Sequence, residues 1–197
     1  MRLLVCLALC LAPTAVAQHS HGASAPDSSG VLEAFTVTGL RVGDAPPPGS
    51  GVGRAGLRFA DGGYVAVTYG QPFVRGRTVF GGLVGRGAIW SLGAHRATEL
   101  WTTVPLVIGG TRIEPGGYSL LATPGNRTWT LHVNRALGAH LADEYDPAED
   151  VARATAPVST LDAVQDALMI AFDTDGGLAL RIAWETTAVA FPFERAD

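Results

Sequence analysis

The sequence predicts an all-β fold, an antiparallel β-sandwich or jelly roll of about ten short strands, and three observations carry that prediction. Apolar residues recur with period two along most of the chain beyond residue 55, as in Leu100, Val104, Leu106 and Ile108. Turn signals rich in Gly and Pro punctuate those runs at regular spacing. No stretch carries a long apolar stripe at helical spacing; Arg135 to Tyr145 and Leu161 to Asp166 have room for a turn or two each.

Taken in order, the chain opens with Met1-Arg2, an apolar run from Leu3 to Ala12, Pro13 and Ala15-Val16-Ala17. This is the pattern of a secretory signal, residues 1–17, with cleavage after Ala17; the run is short of the ~20 residues that span a bilayer. Residues 18–54 read as a flexible leader and a Pro/Gly-rich linker containing one strand-like stretch, Val31 to Leu40. A single β-sandwich domain is expected over 55–197. Leu57 and Phe59 lead into the Asp61-Gly62-Gly63 turn, and Tyr64 to Tyr69 returns as a hairpin. Leu100 to Ile108 alternates up to Gly109-Gly110. Tyr118 to Thr123 and the Trp129/Leu131/Val133 face are joined by Pro124-Gly125-Asn126. On that alternation His132 lies opposite the apolar face and is expected to be exposed. Leu168, Ile170 and Phe172 meet Leu178, Leu180, Ile182 and Trp184 across Asp175-Gly176-Gly177. The apolar positions then move from even to odd numbers by Val189, Phe191 and Phe193. A one-residue slip turns every side chain to the other face, so a bulge is expected at Thr186-Thr187.

Composition excludes several classes of function. The 197 residues are 47% apolar and 16% charged, which supports one core and argues against disorder. A balance of 18 acidic against 14 basic residues is the wrong sign for a nucleic-acid binder. Both cysteines, Cys6 and Cys10, fall in the signal, so the mature chain has no disulfide, thiol nucleophile or thiolate metal site. All basic side chains are arginine, which excludes Schiff-base chemistry. No cofactor and no metal site is expected. Gly51-x-Gly53-x-x-Gly56 has the letters of a dinucleotide fingerprint but no helix to follow them. His19 and His21 belong to the leader. The five carboxylates between Asp143 and Asp150 fit no calcium loop and read as a solvated acidic loop.

Chemistry is concentrated in Tyr69 to Leu83 and Ile89 to Thr98, where aromatics, arginines and glycines alternate densely. Planar stacking groups beside fixed guanidinium forks suit ligand binding. The candidate ligand-binding residues are Tyr69, Gln71, Arg75, Arg77, Trp90, His95 and Arg96.

This segment, Tyr-Gly-x-Pro-x-Val-Arg-Gly-Arg-x-x-Phe-Gly-x-Leu-Val from Tyr69 to Val84, resembles an exported bacterial family catalogued as domain of unknown function 2911. The likeness continues through Trp90, Gly93-Ala94, Ala97-Thr98, Ile108-Gly109-Gly110, Pro115 to Leu120, Thr123-Pro124-Gly125, Trp129-Thr130, Asn134, Tyr145, Asp150, Arg153 and Trp184-Glu185. The resemblance implies an all-β secreted or periplasmic domain, and no settled activity. Several polar positions depart from the family pattern: Thr68 replaces an Asp, Gln71 an Arg, and Ser91 to Arg96 an Arg-Thr-Gly-Ala-Asn-Glu run. A Trp-Gly pair is replaced near Ala139-His140.

The expectation is an exported, non-catalytic β-sandwich, periplasmic or extracellular, binding a glycan, peptide or small molecule. The alternatives are a hydrolase with His95 as base, which requires a carboxylate or hydroxyl beside that ring, and a structural component of the cell envelope docking by a sheet edge.

Overall fold

Alternation along the chain becomes ten antiparallel strands in the computed structural model, which describes residues 30–38, 49–138, 140 and 142–197. Residues 1–17, expected to be a signal, His19, His21 and the Pro46-Pro47-Pro48 stretch lie outside the described residues. The strands are β1 (Val31–Val37), β2 (Gly51–Phe59), β3 (Tyr64–Gln71), β4 (Thr98–Thr102), β5 (Leu106–Ile108), β6 (Thr111–Ile113), β7 (Gly116–Pro124), β8 (Thr128–Asn134), β9 (Asp150–Asp173) and β10 (Ala179–Arg195). They form one sheet in the order β1-β2-β3-β4-β7-β8-β9-β10-β5-β6. No helix of the described residues is long and apolar enough to cross a membrane.

The sheet folds over on itself because β9 and β10 are long enough to serve both layers. The start of β9 pairs with β8, from Asn134↔Asp150 to Thr128↔Pro157. Its far half pairs with β10, and β10 ends on β5 at Phe193↔Ile108. Val65, Leu100, Leu120 and Leu131 thereby face Leu106, Ile108, Phe172, Leu180, Phe191 and Phe193, with only about 20 Å³ of space left among them. That is close packing, the main source of stability in such a domain.

The expected hairpins form. Phe59 N–H donates to Gly63 O at 2.8 Å and Gly63 N–H to Asp61 Oδ1 at 3.0 Å, closing the β2–β3 turn. Arg195 clamps the same Asp61 from the end of β10, with Nη1 at 3.0 Å from Oδ1. That guanidinium is the main reason the Asp61 carboxyl is held down to about 2. Its contribution is complete above the ordinary carboxylate pKa and is lost as pH falls through about 2. An NMR titration should show Asp61 returning towards the ordinary value of about 3.9 in Arg195→Gln; an unmoved Asp61 would refute the clamp.

Several sequence expectations are corrected. Leu161 to Asp166, read as able to hold a helical turn, lies within β9. The phase break nearby is real: Glu185 faces Gln165 and Thr187 faces Thr160, so β9 carries the extra residues of a wide bulge, and Glu185 has φ 56. Leu100 to Ile108 is interrupted. Thr102 Oγ1 bonds the Val104 carbonyl at 2.5 Å, and the chain leaves β4 to enter the opposite layer as β5. Gly51 to Arg54, read as the end of a linker, opens strand β2, and its glycines are there for space. A Cβ on Gly53 would lie 2.2 Å from Tyr69 Cζ, so the absent side chain seats the tyrosine ring of the neighbouring strand.

Candidate functional site

Between β3 and β4 the chain makes a long excursion, Pro72 to Ala97, that covers one end of the sandwich. It is held by isolated bridges, Phe73↔Ala167 and Trp90↔Ala122. At its base it passes backbone to backbone over β3: a Cβ on Gly70 would fall 1.9 Å from Ala94 O. Three non-glycine residues of the excursion have left-handed backbones, Arg75 (φ 50), Leu92 (φ 57) and His95 (φ 69). Such conformations cost about 1–2 kcal/mol each and persist where the surroundings over-determine them.

The structure divides the predicted site residues. Tyr69 and Gln71 are buried, each 2% exposed, and are corrected from ligand contacts to core. Tyr69 Oη accepts from Ile170 N–H at 3.1 Å, and Gln71 Nε2 donates to Leu168 O at 3.0 Å. Burial also pushes the Tyr69 hydroxyl pKa up. These two satisfy polar groups where β3 meets β9. Arg77 donates from Nε to Val74 O at 3.1 Å and from Nη2 to Phe73 O at 2.7 Å, tying its own loop. Arg75 is exposed, donates to Gly49 O and lies 5.7 Å from the Phe73 ring centroid. Trp90 is half-buried and stacks on Trp184, centroids 5.9 Å apart at 20°, with Phe80 and Trp129 edge-on. Its Nε1 donates to Gly93 O at 3.1 Å. His95 and Arg96 are exposed. No hydroxyl or carboxylate among the described residues hydrogen-bonds His95. The ring therefore lacks the partners a hydrolytic base needs.

Arg77 and Trp90 nevertheless share a cleft of about 500 Å³, walled by Ser91, Leu83 and Trp184 and, from the turn after β8, Asp143. Neither Ser91 nor Asp143 was among the candidate contacts, Asp143 being read as part of the solvated acidic loop. Ser91 is 3% exposed, and among the described residues its hydroxyl has no hydrogen-bond partner. A buried hydroxyl left unpaired costs roughly 1–3 kcal/mol, so such groups in native folds call for a partner. The only sequence signal for Ser91 was its place in the run that departs from the family pattern.

A second polar constellation lies on the outer face of β7, β8 and β9. His132 is a correction, because it is 8% exposed rather than open to solvent. The pleat does send it outward as expected, but two single 3₁₀ turns, Ala142–Glu144 and Pro147–Glu149, pass over that face. Tyr145, between the two turns, and Asp150, which opens β9, thereby meet the imidazole. His132 Nδ1 is 3.0 Å from Asp150 Oδ2, and Nε2 is 2.9 Å from Thr123 Oγ1. Tyr145 donates to Asp150 Oδ2 at 2.7 Å, Arg153 Nε to the same atom at 2.6 Å, and Asn134 Nδ2 to Oδ1 at 2.9 Å. Asp150 is thus no member of a solvated acidic loop; its side chain is 5% exposed. Burial works to raise its pKa, but the four donors Asn134, Tyr145, Arg153 and His132 outweigh burial and lower it. Burial, then the Asp150 charge, pushes Tyr145 up to about 12, so it remains a donor. Among the described residues no three His, Asp or Glu side chains are grouped as metal ligands.

Four members of this constellation, Asn134, Tyr145, Asp150 and Arg153, are residues that carried the family resemblance in the sequence. Nothing among the curated proteins or the solved structures matches the chain. Residues 57–193, most of the sandwich, match the family described as protein of unknown function (DUF2911), and to that family the chain belongs.

Proposed function

We propose that the protein is an exported ligand-binding domain and that the cleft beside Trp90 takes a small polyhydroxylated ligand, a saccharide. The observation that carries this reading is the Ser91 hydroxyl, nearly covered and without a hydrogen-bond partner among the described residues, on the wall of a cleft that also presents an indole, a guanidinium and a carboxylate. A sugar presents C–H faces to a tryptophan and hydroxyls that both donate and accept. Trp90 supplies the face, Ser91 the buried hydroxyl, Arg77 a donor and Asp143 an acceptor. Trp90 and Arg77 keep their place among the candidate contacts. Arg75, His95 and Arg96 are exposed near the same excursion and bear on the ligand's outer parts. The strained backbones at Leu92 and His95 support a pre-shaped wall.

The test is calorimetric titration of the mature chain with saccharides chosen from a glycan array. Ser91→Ala should weaken binding about tenfold, the loss of one hydrogen bond of about 1.4 kcal/mol, with the thermal midpoint unchanged or raised. Binding unaffected by Ser91→Ala and by Asp143→Asn, or no saccharide bound at millimolar concentration, would discard the reading. Export is tested separately, by the mass of the product released by an expressing cell: the mature chain should begin at Gln18.

A further inference from the structure

We propose that Thr123, His132 and Asp150 form a hydroxyl–imidazole–carboxylate relay that accepts an acyl group from a small ester on Thr123 Oγ1 and passes it to water. This goes beyond the cleft reading and does not rest on it. The partners that His95 lacks among the described residues are the ones that His132 has: a carboxylate on one ring nitrogen and a hydroxyl on the other, at 3.0 and 2.9 Å.

Direction is set by charge. Asp150 is an acceptor, so Nδ1 carries the hydrogen and Nε2 presents its lone pair, to which the Thr123 hydroxyl donates. A hydroxyl donating to a base that is itself oriented by a carboxylate is the arrangement of an activated nucleophile. Tyr145 donates to the same carboxylate oxygen, and its hydroxyl lies 3.1 Å from Nδ1. Arg153 and Asn134 complete the donors, so Asp150 is locked in place and stays ionised.

The reacting end is the accessible one. Thr123 is half-buried, whereas His132 and the Asp150 side chain are nearly covered. Ala122 bridges Trp90, which puts Ile89 across from Thr123. The nucleophile and base sit on the paired strands β7 and β8, in the register Thr123↔Thr130 and Leu121↔His132, two pairs apart.

The chemistry balances without a cofactor. The Oγ1–acyl carbon bond forms as the ester C–O bond breaks, and the Thr123 proton passes to His132 Nε2 and on to the leaving alkoxide. Water then attacks the acyl carbon, losing its proton to Nε2. The bond to Thr123 Oγ1 breaks, and that proton returns to the oxygen. Thr123 and His132 are the catalytic residues, and Asp150 is a positioning residue.

Hydrolysis of p-nitrophenyl acetate by the purified chain tests the relay. Phenolate release above the buffer rate is expected, with an acetyl group on the Thr123 peptide after acid quenching. Thr123→Val keeps the branched shape on an accessible strand position and should lose at least about a hundredfold in rate, as should His132→Gln. Thr123→Ser should restore it. Asp150→Asn should lower kcat with KM unchanged. Release no faster than buffer, Thr123→Val as fast as wild type, or acetyl found only elsewhere would overturn the proposal and leave the network as a clamp on the 142–150 turns. Saccharide binding in Thr123→Val is expected to be normal, which keeps this test separate from that of the cleft.

Discussion

Trp184→Ala is expected to cost about 4 kcal/mol of stability, read as a lower midpoint of urea unfolding followed by far-ultraviolet circular dichroism. The ring is 1% exposed and stands among three other aromatics: stacked on Trp90, edge-on to Phe80 at 6.1 Å, and near Trp129 through Phe80. Its indole N–H donates to Asp166 O at 3.2 Å, so truncation opens a cavity and removes one of the two donors to that carbonyl, the other being Val74 N–H at 2.8 Å. It sits just before the wide bulge, where β9 and β10 fall out of simple register, so little neighbouring structure is free to collapse into the space. The loss should be felt at the cleft too, because the Trp90 face is set by the stack. A drop of less than about 1 kcal/mol would show that the aromatic cluster does not hold this end of the sandwich together.

Asp150→Ala should cost about 3 kcal/mol at neutral pH, as removal of one partner from a buried charged network does. His132, Asn134 and Tyr145 lose their acceptor, and Arg153 loses its ion pair. The pH dependence has a definite sign. The Asp150 pKa is lower folded than unfolded, so its contribution is fully present above the unfolded value of about 3.9 and is lost as pH falls through the folded one. Wild type and variant should therefore differ most near neutrality, and the gap should narrow as acid protonates the wild-type carboxylate. Urea midpoints at a series of pH values check this; a gap that widens in acid would refute the assignment.

Where the sequence was legible, the reason was local. Alternation and Gly-rich turns depend on neighbouring residues alone, so the β2–β3, β7–β8 and β9–β10 hairpins could be read directly, and so could the phase break before Val189. The linker reading failed at Gly53 because its glycine is explained by Tyr69 on another strand, and no rule of sequence spacing links the two. Period two placed His132 on the outer face correctly. It could not tell that residues 142–150 return to cover that face, since covering a face depends on long-range docking. The same limit hid Ser91, which becomes notable only once its burial and lack of a partner are seen.

The sequence by itself determined an all-β, thiol-free and lysine-free domain of the family, because pleat period, turn chemistry and composition are properties of short windows. Only the tertiary structure decided that Tyr69 and Gln71 belong to the core, that Arg77 and Trp90 share a cleft with Asp143, and that His132 is the histidine with a carboxylate and a hydroxyl. Each of those depends on which segments meet after the sheet folds over, and contacts made across dozens of residues leave no periodic trace in the chain.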